Sequence, residues 1–158
     1  MRVHCNSFTS RMVCQAPKTI NKEERPNEHT FVLIKPDAVS AGLTDTILER
    51  LQNKGLEVVR VKILQLTTDD ILRWRSGWSS YDDVFWMHAR FMASGLVVAC
   101  ELCGDNAVEK AITEKGEIRS EYATSKLQNA MHCPDSPEEA QNEIAVFFSL
   151  ENGEEFNG

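Results

Sequence analysis

The segment Thr30–Lys35, TFVLIK, limits the fold of this chain more than any other. Its apolar residues are consecutive, so an extended strand here is apolar on both faces, which is the pattern of a central strand. Pro36 follows and ends the strand, because proline has no N–H for a ladder. The other apolar segments must supply partners for that strand.

They do so in a recognisable order. Leu43, Ile47, Leu48 and Leu51 fall on one helical stripe, and Gly55 is a natural stop after it. Leu56–Leu66 alternates, with Val59, Val61 and Ile63 set against Arg60 and Lys62, and predicts a half-buried strand. Thr67 and Asp70 give a capping-box start to a helix carrying Ile71 and Leu72. Trp74–Asp83 is aromatic and polar, without an assignable period. Phe85, Ala89 and Met92 have helical spacing that Ser94-Gly95 ends, and Leu96–Leu102 is a third strand. Asn106–Lys115 and Glu117–Tyr122 predict two short helices parted by Gly116, and a brief strand surrounds Ala130–Cys133. The last helix has the clearest start: Ser136 as N-cap, Pro137 at the first helical position and Glu139 completing S-x-x-E. Ala140, Ile144, Phe147 and Phe148 then line one of its faces. This order predicts an α+β fold. It is a ferredoxin-like βαββαβ antiparallel sheet with helices over one face and extra short helices.

A chain of 158 residues suits one domain, and no apolar run approaches the ~18 residues of a membrane span. The formal charge of -7 and a pI near 5.1 argue against a nucleic-acid partner held by a basic surface. So does the lack of an aromatic strand pair of the kind that stacks RNA bases. The cysteines Cys5, Cys14, Cys100, Cys103 and Cys133 are odd in number, with no secretory leader, which predicts free thiols in a reducing compartment. Cys100 and Cys103 form a C-x-x-C inside a strand-like run. Period-two geometry sends their side chains to opposite faces, so they are expected to be small buried residues and not a metal or redox pair.

Residues 1–28 are polar and aperiodic, with no acid before Glu23. A disordered extension over 1–29 is expected, the domain occupying 30–150 and a flexible acidic tail 151–158. The expected location is cytoplasmic. The alternative is organelle targeting by residues 1–28, whose Arg2, Arg11, Lys18, Lys22, Ser7 and Ser10 have a transit-peptide flavour.

Neither phosphate-cradling glycine motif, G-x-x-x-x-G-K-[ST] or G-x-G-x-x-G, is present, and there is no H-R-D. His132 offers another route to phosphate chemistry. It lies just before the well-capped helix, whose free N–H groups and positive dipole end favour an anion. A neutral imidazole has a free lone pair and can attack phosphorus to give a covalent intermediate. Phosphoryl transfer also needs cations, and Lys35 at the exit of the central strand and Arg119 on a short helix are candidates. Each of these alone is an ordinary feature: a lone histidine is more often surface or core, and a lone cation more often solvated. His4, His29 and His88 have no catalytic neighbours in the sequence.

Together the residues form a pattern. Phe31-Val32-Leu33-Ile34-Lys35-Pro36-Asp37-Ala38-Val39 resembles the opening strand of the nucleoside diphosphate kinase family. Met92-Ala93-Ser94-Gly95-Leu96-Val97-Val98-Ala99 resembles the family's M-x-S-G-P-V-V-A. Ile118-Arg119 followed by Asn129-Ala130-Met131-His132-Cys133-Pro134-Asp135-Ser136 resembles I-R…N-x-x-H-G-S-D-S, and Glu143-Ile144 continues the closing helix. The likeness runs from Thr30 to Phe148, in order.

The resemblance implies ping-pong transfer of the γ-phosphoryl group of a nucleoside triphosphate, through a phosphohistidine, to a nucleoside diphosphate. It implies His132 as nucleophile, Glu143 as the carboxylate beside its ring, Lys35 and Arg119 on phosphates, and Asn129 on the sugar. Phe85 would lie against the base. Mg²⁺ would arrive with the nucleotide, and the chain would be a homo-oligomer, since members form dimers, tetramers or hexamers. Cys133 and Pro134 replace the family's Gly and Ser. The stretch from Asn106 to Arg119 is shorter than in typical members and lacks a loop bearing an Arg and a Thr. Ile112 stands at the Arg position, with Lys110 and Lys115 as possible substitutes. The family's pocket Tyr has no clear match, Trp74, Ser76 and Trp78 lying nearby, and Lys126 stands where an apolar base contact is usual. These departures define an alternative: a weak or idle domain of the same fold, serving as a nucleotide-binding or interaction module.

Overall fold

The computed structural model describes residues 27–158. The extension expected at the N-terminus, with Cys5, Cys14 and His4, lies outside the described residues apart from its last three. The elements are β1 (Glu28–Ile34), α1 (Pro36–Ser40), α2 (Thr44–Asn53), β2 (Glu57–Gln65), α3 (Thr68–Trp74) and α4 (Asp83–Met92). They continue with β3 (Leu96–Gly104), α5 (Ala107–Tyr122), β4 (Met131–His132), α6 (Pro137–Ser149) and β5 (Glu154–Asn157). The strands form one sheet in the order β4-β1-β3-β2-β5, each neighbouring pair antiparallel. This is the expected ferredoxin-like sheet with one more strand.

β1 is central and fully buried from Thr30 to Ile34. Its alternate residues feed two cores. Val32 and Ile34, with Val98, Cys100 and Leu102 of β3, meet Ile47 and Leu51 of α2 and Ala111 and Ile118 of α5. Phe31 and Leu33, with Val97 and Ala99, meet Ile71 of α3, Met92 of α4 and Phe147 of α6. Helices therefore cover both faces, and not only the one expected: α1, α2 and α5 one, and the added α3, α4 and α6 the other. A doubly apolar central strand requires both covers.

Three further expectations change in the structure. The two short helices around Gly116 are one helix, α5. Ala107, Ala111, Glu114 and Ile118 lie on one buried stripe that runs straight past the exposed Gly116. Gly116 costs the helix about 1 kcal/mol relative to Ala, which that stripe and the 2.5 Å Arg50 Nε–Glu114 Oε1 pair from α2 offset. In β2 the expected alternation fails after a bulge between Val58 and Arg60. Lys62 is buried and Ile63 faces out, 36% exposed. Lys62 is accommodated because its ammonium donates to the Leu150 and Phe147 carbonyls at the C-terminal end of α6, where a cation is favoured. Finally, part of the expected flexible tail, Glu154–Asn157, pairs with Arg60–Ile63 as edge strand β5. It has no apolar alternation to reveal it; Glu155 instead meets Arg60 at 3.5 Å.

The Thr67–Asp70 capping box forms with both bonds, while at Ser136 only half of the expected box does: its hydroxyl accepts from the Glu139 N–H at 3.1 Å, and the Glu139 carboxylate accepts from the Asp135 N–H instead. Cys100 and Cys103 face opposite sides of β3, Cys100 deep in the first core, where burial pushes its thiol up to about 12.

Candidate active site

The site forms where β1 and β4 end. Ile34 pairs with Met131 and Leu33 with His132, so a two-residue strand sets His132 beside the exit of β1. The turn before it is tightly specified. Ala130 has φ +74°, a left-handed conformation that costs a non-glycine residue about 1–2 kcal/mol. Its N–H donates to Asp37 Oδ2 at 3.0 Å, and its carbonyl accepts from the Lys35 N–H at 2.8 Å. The strained residue is thus clamped from both sides by Lys35 at the exit of β1 and Asp37 in the first turn of α1.

His132 is mostly enclosed. Its Nε2 lies 2.9 Å from both Glu143 oxygens, and the edge of its ring meets Trp74 with centroids 5.2 Å apart. Glu143 as acceptor places the proton on Nε2 and leaves the Nδ1 lone pair free. Burial holds the ring's pKa below the ordinary histidine value, and the Glu143 hydrogen bond opposes this. The neighbouring Cys133 thiol is buried and pushed up to about 11, so it offers no competing thiolate.

The candidate cations are close by, Lys35 buried and Arg119 half-buried. The Lys35 Nζ donates to the Leu127 carbonyl at 2.7 Å and to Asn129 Oδ1 at 2.8 Å. Its pKa is lowered to about 8, first by burial and then by the charge of Arg119. Arg119 donates from Nε and Nη2 to the Met131 carbonyl at 3.2 and 2.9 Å, fixing the backbone just before His132. Asn129 completes its own turn by donating to the Lys126 carbonyl at 2.9 Å. An anion beside both cations would favour the charged form of Lys35, which Arg119 opposes.

Two cavities adjoin. One, of about 420 Å³, is lined by Trp74, Arg75, Trp78, His132, Glu139 and Glu143. The other, of about 490 Å³, is more apolar, with Trp78, Val84, Phe85, Met87, Lys126 and Leu127 among its walls. Phe85 lines this second cavity, but it is a buried core residue packed edge-on against Tyr81 at 4.8 Å. The exposed apolar rim is Trp78, Val84 and Met87. His88 also lines it, its pKa pushed down to about 4 by burial and nearby cations.

The structure therefore brings His132 with Glu143, and Lys35 with Asn129, into direct contact, with Arg119 one carbonyl from the histidine. Phe85 stands apart at the apolar end. Sequence alone does not find Arg75, and places Trp74 only near the family's Tyr position; the one signal is an arginine between Trp74 and Trp78, spaced four apart in a segment without period. Of the two substitute cations, Lys115 is at the site, 3.6 Å from Asp135 Oδ1 and beside Cys133. Lys110 is at the far end of the sheet, beside Gly55 and Cys103.

Known proteins resemble this chain over most of its described length. The family model described as nucleoside diphosphate kinase matches residues 28–152. The chain is 36% identical over 134 residues to a nucleoside diphosphate kinase of Ignicoccus hospitalis, covering 77% of this chain and 88% of that protein. It is 37% identical over 131 residues to the one of Deinococcus radiodurans, covering 77% and 94%. Among solved structures it is similar to the nucleoside diphosphate kinase of Aquifex aeolicus. The TM-score is 0.71 at 31% identity, over 78% of this chain and 96% of that one.

Proposed function

The chain belongs to the nucleoside diphosphate kinase family, and we propose that His132 is the residue that carries the phosphoryl group between nucleotides. The chain is a phosphotransferase with nucleotide substrates. One observation carries the assignment of its nucleophile. Glu143 takes Nε2 with both oxygens, which leaves Nδ1 as the basic nitrogen of a buried, neutral ring.

The step follows. The Nδ1 lone pair attacks the γ-phosphorus of a nucleoside triphosphate, and the bond to the β-phosphate oxygen breaks. That oxygen takes the electron pair and departs in the nucleoside diphosphate. The imidazole becomes positive as the N–P bond forms, and Glu143 stabilises that charge through Nε2–H. A different nucleoside diphosphate then attacks the same phosphorus with its terminal oxygen, and Nδ1 recovers its lone pair. Lys35 and Arg119 meet the transferring phosphate, Asn129 the sugar, and the apolar cavity the base, with Phe85 in its wall. Mg²⁺ fits as a companion of the nucleotide. No group of three His, Cys, Asp or Glu able to hold a metal occurs among the described residues, so phosphate oxygens and water would be its main ligands. When bound, it neutralises phosphate charge.

The phosphotransferase domain takes in all five strands, from Glu28 to Asn157 and so beyond the expected 30–150, and a cytoplasmic setting is part of the same proposal. No helix among the described residues is long and apolar enough to cross a membrane. Nucleic acid is not a proposed partner, given the net charge of -7, and self-association as a homo-oligomer is. The idle-module alternative is not favoured, because the histidine, its carboxylate and both cations stand together.

Incubation with γ-labelled ATP should give an acid-labile, base-stable phosphoprotein that GDP discharges. A His132→Ala protein that still became labelled and still turned over would overturn the assignment.

A further inference from the structure

We propose that Arg75 is a phosphate-binding residue: its guanidinium, held against the rings of Trp74 and Trp78 on the wall shared by the two cavities, grips the phosphate chain of a nucleotide. The path to His132 rests on the function proposed above; the grip on phosphate does not.

Position is the first argument. Arg75 and Trp78 line both the apolar cavity and the cavity at His132. A nucleotide with its base in the first and its terminal phosphate at the second must lay its phosphates past Arg75.

Preorganisation is the second. Arg75 caps the C-terminus of α3, its N–H donating to the Ile71 carbonyl at 2.9 Å. Its carbonyl accepts from the Trp78 N–H at 2.9 Å and from the Tyr81 hydroxyl at 3.3 Å. The backbone is thus tied at three points. The guanidinium carbon sits 3.9 Å from the Trp74 ring centroid and 5.1 Å from that of Trp78. Aromatic stacking leaves the planar edge of an arginine, with its N–H donors, free for an oxyanion.

Unspent capacity is the third. Lys35 and Arg119 already give donors to Leu127, Asn129 and Met131. Arg75 Nε is buried with no hydrogen-bond partner among the described residues. Glu139 and Glu143 act on its charge from across the cavity without pairing with it. A half-buried guanidinium with an orphaned donor, on the wall of two cavities, is an unfinished bidentate site.

The test compares ligands with and without phosphates, by calorimetry on the full chain. ADP and adenosine are titrated into the unaltered protein and into Arg75→Met, which keeps an aliphatic contact with Trp74 but no charge. The ratio of adenosine to ADP dissociation constants should fall by about tenfold or more in Arg75→Met, through loss of ADP affinity with adenosine affinity unchanged. Arg75→Lys should recover part of it, and Arg75→Gln should behave like Met if the Met variant fails to fold. Unchanged ADP affinity in the uncharged variants, or equal losses for adenosine and ADP, would overturn the proposal, the second meaning that Arg75 only shapes the wall. Labelling from γ-labelled ATP is followed in parallel. Failure of the unaltered protein to label would sink the role of His132 while the ADP comparison still judges Arg75.

Discussion

Glu143 holds His132 with both carboxylate oxygens, each 2.9 Å from Nε2. The partners come from different elements, β4 and the middle of α6, and no local sequence rule joins them. The contact selects the tautomer, orients Nδ1, and supplies a counter-charge when the ring is phosphorylated. Glu143→Gln removes the charge and Glu143→Ala the whole contact. Both should slow phosphorylation of His132 by at least ~10-fold, Ala more than Gln, because the histidine then loses its oriented partner. KM should change little, since Glu143 touches the ring and not the nucleotide. Quench-flow with labelled ATP separates the two effects. A rise in KM with an unchanged rate constant would mean that Glu143 serves binding.

The pH profile should show two limbs. The nucleophile is the neutral ring, and burial lowers the pKa of His132, so kcat/KM should fall only below the ordinary histidine value of about 6.5. The grip on phosphate needs the Lys35 ammonium, whose pKa is about 8, so kcat/KM should fall again as pH rises through that value. In kcat, measured on the bound complex, the alkaline limb should shift upward, because phosphate favours the charged lysine. Lys35→Arg should remove the alkaline limb from kcat/KM. An unchanged limb in that variant would assign it to another group.

Lys35 and Arg119 each bear on structure as well as chemistry, contrary to the solvated charges suggested by sequence alone. Replacing either by Ala should reduce kcat/KM by at least ~10²-fold through loss of a preorganised charge. Lys35→Ala also strands the Leu127 carbonyl and Asn129 Oδ1, and Arg119→Ala strands the Met131 carbonyl. A cost of about 1–3 kcal/mol in stability should accompany each. Denaturant unfolding and steady-state kinetics on the same preparations check both. Full stability with lost activity would show that these hydrogen bonds are replaced in the variants.

What sequence disclosed follows the range of the interactions involved. The apolar run at Thr30–Lys35 and the caps at Thr67 and Ser136 are local signals, and they identified β1 and the starts of α3 and α6. The continuity of α5 past Gly116 depends on Arg50 reaching Glu114 from another helix, which a one-dimensional pattern does not contain. Lys62 reads as a solvent-facing residue until the α6 C-terminus that receives it is in place. The catalytic candidates were legible as motif residues, but Arg75 was not, and Trp74 only as a neighbour of the family's Tyr position. Their value comes from where the turn after α3 sets them relative to β4. Phe85 was legible as an aromatic of α4, and its place in the core rather than on the cavity rim was not.

The shortened stretch before Arg119 makes a last prediction about nucleotide affinity. α5 runs as one helix through it, so this stretch forms no loop to carry phosphate donors. Hydrogen bonds to charged groups are worth roughly 1.5–3 kcal/mol, so even one missing contact weakens binding by ~10-fold or more. ADP should therefore bind more weakly than in relatives with the full loop, while transfer from His132 persists at saturation. The two lysines of α5 should then behave differently. Lys115 stands beside Cys133 and Asp135, and its charge reaches His132. Lys115→Ala should weaken ADP binding further, though less than loss of an arginine would, because an ammonium is a point charge and not a fork. Lys110 lies beside Gly55 and Cys103 at the other end of β3, and Lys110→Ala should leave ADP affinity unchanged. Calorimetry on both variants decides it. Tight ADP binding in the unaltered protein, insensitive to Lys115→Ala, would mean that another group, with Arg75 the first to suspect, makes good the missing contacts.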